Sequence, residues 1–163
     1  MAGVRNRRGF SLIEIMISVV LVGMSITALV VANNAFTMAN GAGADLSTAE
    51  FLVEQIRELT TMLPVADPEA TNWTTFGPEE ASLAAYDDVD DFDNATFSPP
   101  ISANRTALSD FSTFSQHVTV ENVNASNFDA VVADRSSDFV RVTVSVSQHG
   151  GLISSTSWIR ARL

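Results

Sequence analysis

The chain has no cysteine and no lysine among its 163 residues, and no proline before Pro64. Without cysteine there is no disulfide and no thiol chemistry, so a domain exposed to an oxidising compartment must rely on its apolar core or on neighbours in an assembly. Without lysine, all positive charge falls to nine arginines, set against nineteen carboxylates. Without an early proline, nothing in the first sixty-three residues forbids one long helix. Histidine is nearly absent as well. His117 and His149 are the two present, one opening an alternating stretch and the other in a turn, which argues against a shared metal site. No serine stands in an elbow motif, and no glycine-rich phosphate loop occurs.

What is abundant is apolar sequence at the front. Phe10 to Ala32 contains one ionisable residue, Glu14. As a helix this run would extend about 34 Å, enough to cross a hydrocarbon core of about 30 Å. Arg5, Arg7 and Arg8 precede it, and the next basic residue is Arg57, after Asp45 and Glu50. Positive flanks stay in the cytoplasm, so the N-terminus is expected inside and the remainder exported. Beyond residue 9, six arginines face all nineteen carboxylates, a formal charge of −13. So acidic a surface argues against direct binding of nucleic acid or anionic lipid.

Glu14 is the anomaly. A carboxylate at the bilayer centre costs about 2.5–3.5 kcal/mol, so such residues tend to have a partner and a role. Its place about one turn from Phe10, near the interface and the positive end of a helix, makes it tolerable without making it necessary. A secretory signal peptide does not account for it: the run is too long, and "VVANNA" is a poor cleavage site. A plain single-pass anchor leaves it unexplained, and a buried core helix rarely runs this long without a polar break.

The sequence "RRG" followed by "FSLIEIMISVVLVG" resembles the processing site and first helix of type IV pilins and type II secretion pseudopilins. That resemblance implies a leader peptide, residues 1–9, removed after Gly9 by a prepilin peptidase. The same enzyme, also the methyltransferase, then methylates the new amino group of Phe10. It places Glu14 at the fifth mature position, where the family carries its glutamate. The chemistry follows: an α-amino group titrates near 7.7–8 and is largely protonated at neutrality. In an assembled filament, the Phe10 ammonium of one subunit pairs with Glu14 of a neighbour. A misplaced subunit would bury an uncompensated charge, at a cost of several kcal/mol. The same resemblance implies other pilin subunits and an inner-membrane assembly platform as partners. Many pilins carry a proline in the membrane segment; Val31 stands there in this chain.

Five segments are expected in all: the leader at 1–9, a transmembrane and filament-core helix at 10–32, its amphipathic continuation at 33–63, a variable acidic loop region at 64–115, and an antiparallel sheet at 116–163. In the continuation, Leu46, Ala49, Val53, Ile56, Leu59 and Leu63 recur at helical spacing. Gly41 and Gly43 predict a kink or loosened turn. In the last segment, "QHVTVENV" and "DFVRVTVSVSQ" alternate as half-buried strands, with Val140, Val142, Val144 and Val146 on one face. "HGG" then makes a tight hairpin and "LISSTSWIRARL" returns. The fold class is α+β: a long helix laid on three or four antiparallel strands, pilin-like.

"YDDVDDFDN" packs five aspartates into seven residues. The spacing fails the EF-hand, with no glycine at its sixth position and no glutamate at its twelfth. A solvated acidic loop is favoured, and no cofactor is assigned. The alternative is Ca²⁺ held by Asp88, Asp90, Asp91 and Asp93. Together with "DFVRVTVSVSQHGG", the tract also resembles minor pilins of the mannose-sensitive haemagglutinin type.

These readings converge on a non-enzymatic structural subunit, a minor pilin. It would sit in the inner membrane, N-terminus inside, before assembly, and in a cell-surface pilus afterwards. The competing expectations are a pseudopilin of a secretion or DNA-uptake machine, with a periplasmic pseudopilus, and a membrane-anchored enzyme or receptor domain.

Overall fold

A fifty-residue helix dominates the computed structural model, which describes residues 9–67 and 76–162. Arg5, Arg7, Arg8 and the leader up to residue 8 lie outside the described residues, as does the stretch 68–75. The helix, α1, runs Leu12–Thr61. The chain divides into two units, Met1–Gly43 and Ala44–Leu163. Helical hydrogen bonding continues through Gly41 and Gly43. The loosened turn expected there is absent, because two glycines cost about 2 kcal/mol in a helix that long and do not break it. The boundary between the units nonetheless falls at Gly43.

In the first unit every described residue is exposed. The side chains are largely apolar, as expected of a helix whose solvent is lipid or other helices. Its hydroxyls return to its own backbone: Ser18 donates to the Glu14 carbonyl at 2.7 Å, Ser25 to Leu21 at 2.8 Å, and Thr27 to Gly23 at 2.9 Å. Such bonds satisfy these three hydroxyl donors where water is absent.

The second unit is α+β. Ala49, Leu52, Val53, Ile56, Leu59 and Thr60 form the buried stripe of α1. The expected stripe was close: Leu46 lies outside it, still exposed, and Leu52 and Thr60 broaden it. Five antiparallel strands follow: β1 (Thr96–Phe97), β2 (Phe114–Asn124), β3 (Asn127–Val131), β4 (Phe139–Gln148) and β5 (Gly151–Ala161). The order is β1-β2-β4-β5, with β3 paired to the far end of β2. That exceeds the expected three or four, because a two-residue β1 forms inside the acidic loop region and adds to β2 at Thr96↔His117. Val118 and Val120 of β2 join Val140, Val142, Val144 and Val146 of β4 against the helix stripe. Strict alternation puts all four β4 valines on one buried face. β4 turns into β5 through His149 and Gly150, with φ of 50° and 82°, and Gln148 pairs with Gly151. Two consecutive positive φ values make this a type I′ hairpin, whose twist matches that of the strands it joins.

Two polar side chains tie the layers together. Buried Gln116 accepts the Ile101 amide at 2.7 Å and donates to the carbonyls of Leu52 and Ile101, at 2.8 and 3.1 Å. Arg160 of β5 donates to the carbonyls of Thr60 and Leu63, at 2.5 and 2.9 Å. No basic residue lies in the last turn of α1, so this distant arginine supplies the positive charge that a helix C-terminus favours.

The region 64–115 is more packed than a loop of that composition suggests. It carries two short 3₁₀ turns, Asp90–Phe92 and Ser109–Phe111, and contributes Val65, Val89, Phe92 and Ile101 to the core.

Candidate functional sites at the helix start and in the acidic loop

Gly9, Phe10 and Ser11 precede the helix in non-helical backbone. The Ser11 carbonyl accepts the amides of Glu14 at 3.0 Å and Ile15 at 3.2 Å, which makes Ser11 the N-cap residue and puts Glu14 in the first turn. A carboxylate there faces the partial positive charge of unpaired helix amides. Phe10, Glu14 and Ser18 share one face, and with Ile15, Val19 and Val22 they line an open groove. Phe10 is 79 % exposed and so accessible to an enzyme acting on the Gly9–Phe10 bond. Among the described residues Glu14 takes part in no ion pair.

The aspartate tract is the principal correction. Asp88, Asp90 and Asp91 are each only 1 % exposed, so the tract is not a solvated loop. The tract is pulled inward because its interleaved apolar residues, Val89 and Phe92, are fully buried. Phe92 stacks edge-on against Tyr86, ring centroids 5.1 Å apart, and the Val89 amide donates to the Pro64 carbonyl at 3.0 Å. Carboxylates between two such anchors have no route to water.

Much of their hydrogen bonding is to nearby backbone. Asp91 Oδ2 accepts the amides of Asp87 and Asp88 at 2.9 and 3.3 Å, while Asp88 Oδ1 accepts the Asp91 amide at 3.0 Å. Asp90 Oδ2 accepts the Gly77 amide at 3.3 Å. Asp93 is turned elsewhere: its Oδ1 accepts the Val120 amide at 2.8 Å, stapling the loop to β2. It therefore drops out of the expected ligand set. In its place the fold brings up Glu79, Glu80 and Asp87. Ligand oxygens of Glu79, Glu80 and Asp91 lie within 4.8 Å of one another, and so do those of Asp87, Asp88 and Asp91. Asp90 belongs to neither triad.

The electrostatics follow from burial and crowding. Burial, then the hydrogen bond and charge of Asp90, pushes the Asp88 carboxyl up to about 8. The hydrogen bond with Asp91, then burial, pushes Glu80 up to about 7. Burial likewise raises Asp90 and Glu79. A hydrogen bond between two carboxyl groups exists only while one of them holds a proton.

The remaining candidates are bland. His117 Nδ1 lies 3.0 Å from Thr96 Oγ1, and His149 fills its turn position. "PEE" at Pro78–Glu80, ahead of the aspartates, was the available signal for the missed cluster members. Two runs of like charge joined by a short loop must either splay apart or share a counter-ion.

No curated protein and no solved structure matches the chain. Residues 4–30 match the family model described as the prokaryotic N-terminal methylation motif, a stretch that holds Gly9, Phe10 and Glu14. The chain thus carries the leader signature of type IV pilins and pseudopilins, which implies processing by a prepilin peptidase and assembly with other pilin subunits.

Proposed function

We propose that this chain is a minor pilin, cleaved between Gly9 and Phe10, methylated on Phe10, and built into a pilus through the first half of α1. The methylation motif over residues 4–30 carries the reading, and it begins a helix whose described residues to Gly43 are all exposed and largely apolar. Such a helix fits a single pass of the inner membrane, from which it would be withdrawn into a bundle of like helices. In that bundle Glu14 pairs with the Phe10 ammonium of the neighbouring subunit, a charge pair that sets register because any other position leaves both ions buried and unpaired.

Minor rather than major status is supported by charge. With −13 on the exported part and no lysine to offset it, copies placed side by side throughout a filament would repel one another. Dispersed among other subunits, or few in number, they would not. The second unit has the build of a structural module, a valine-rich core beneath an antiparallel sheet.

Mass spectrometry of the exported protein tests the first step. Phe10 should be the N-terminal residue, with one added methyl group, and Gly9→Val should leave the leader attached. Recovery of filaments whose subunits keep residues 1–9 would remove the processing step from this reading. Counting copies per filament by quantitative immunoblot tests the second. A few copies per pilus are expected, and a stoichiometry near that of the bulk subunit overturns the minor assignment.

A further inference from the structure

We infer that Asp87, Asp88, Asp91 and Glu80, with Glu79 at the rim, form a Ca²⁺ site that holds the 76–93 loop against the domain. The inference is independent of the filament role and concerns the second unit alone.

The first observation is convergence. Two triads of carboxylate oxygens, each within 4.8 Å, share Asp91. Elements from both sides of the loop meet there, Glu79 and Glu80 from one and the Asp87–Asp91 turn from the other. The second observation is independent of acidity. Asp88 and Asp91 are 99 % buried, and each spends one oxygen on a backbone amide while the other has no hydrogen-bond partner: Asp88 Oδ2 and Asp91 Oδ1. Glu80 Oε2 is likewise buried and without a partner. Buried polar atoms are almost always satisfied, so several orphan oxygens in one place point to a missing positive group.

Among the described residues no ion pair reaches Asp88, Asp91 or Glu80; the pairs are Arg57–Glu54, Arg141–Glu121 and Arg162–Asp138. The nearest arginine with a described bond to this loop, Arg105, is committed to the carbonyls of Ala84 and Tyr86. Two occupants remain, protons or a cation. Protons would have to sit between Asp88 and Asp90 and between Glu80 and Asp91. A divalent cation beside Asp91, the residue both triads share, would offset the charge of the carboxylates around it and remove the repulsion.

The donor chemistry selects the ion. Every candidate ligand is a carboxylate oxygen, with no imidazole or thiolate, so a hard cation is favoured over zinc or copper. Ca²⁺ takes 6–8 oxygens at about 2.3–2.6 Å in irregular geometry, and backbone carbonyls and water can complete the shell. Mg²⁺ demands near-ideal octahedral geometry and gives up water reluctantly, which a crowded, asymmetric carboxylate cluster does not suit. The backbone bonds from Asp88 and Asp91 prearrange the turn, leaving the second oxygen of each for the ion. With the ion bound, the turn is closed between the Val89 and Phe92 anchors, and metal binding becomes part of folding.

The test uses the full-length chain in detergent, stripped with EGTA and held at pH 7.5. Addition of 5 mM CaCl₂ should raise the melting temperature of the β-rich unit by about 10 °C, as expected for ligand about 100-fold above its dissociation constant. MgCl₂ should give a much smaller rise, and NaCl at equal ionic strength almost none. Tb³⁺ luminescence excited through Tyr86 should appear and be displaced by Ca²⁺ at one ion per chain. Asp88→Asn/Asp91→Asn keeps the acceptor oxygens for the backbone amides but removes two charges. It should fold without calcium and lose the calcium response. If that variant fails to fold, Glu80→Gln, which holds none of the described turn bonds, should fold and weaken calcium binding about tenfold. An unchanged melting temperature, a rise matched by NaCl, or an equal calcium response in a folded variant overturns the site. Shared protons would then account for the cluster.

Discussion

The two halves of α1 are one continuous helix with opposite relations to the rest of the chain. From Leu12 to Gly43 its side chains are largely apolar, and none is buried. From Ala44 to Thr61 it is amphipathic and hides six residues against a sheet. Greater hydrophobicity thus accompanies less burial within the chain. The difference teaches that an apolar face is a demand for a partner, and that the partner need not be in the same polypeptide. The second half is satisfied by valines of β2 and β4; the first requires lipid, then other subunits.

The strongest way to break this comparison is to remove the ionisable residue in the first half. Glu14→Val should insert and be processed normally, because a more apolar helix enters the bilayer more readily. Incorporation should nevertheless fall at least tenfold, since the neighbour's ammonium loses its counter-charge. Copies per filament, measured against the membrane pool, decide it, and normal incorporation would dismiss the register role.

A matched pair sharpens the contrast. Leu52 is fully buried and Leu21 is 57 % exposed. Leu52→Ala should destabilise the second unit by about 2–5 kcal/mol. Leu21→Ala should leave the melting temperature of that unit unchanged. Equal effects would mean that the two halves do not differ as described.

A smaller loss is expected from Gln116→Leu. It strands the Ile101 amide, which Gln116 accepts at 2.7 Å, in a buried place. The cost should be about 1–3 kcal/mol, read by chemical denaturation. The least is expected from Arg160→Met, which keeps the aliphatic stem but drops the two bonds to the helix end. About 1 kcal/mol should be lost, with fraying confined to the last turn of α1 and visible as faster amide exchange there.

The elements that were legible in the sequence were those in which local pattern and tertiary role coincide. Val140, Val142, Val144 and Val146 alternate because a strand has period two, and all four are buried. His149–Gly150 makes the hairpin because both residues accept positive φ. The methylation motif was legible because it is read by an enzyme as a linear signal. The aspartate tract was misread because composition alone favours water, while Val89 and Phe92 on either side of Asp90 carry it into the core. Asp93 was read with the tract because spacing along the chain does not show that its Oδ1 accepts the Val120 amide, twenty-seven residues away.

The sequence by itself determined the leader signature, the position of Glu14, the long helix, and the alternation that makes a sheet, since each rests on spacing along the chain. Only the tertiary structure decided which carboxylates meet, which oxygens are left without partners, and that Arg160 caps a helix ending one hundred residues earlier. Those outcomes depend on loop closure. Closing a loop is governed by where its apolar anchors land in three dimensions, which short-range periodicity does not encode.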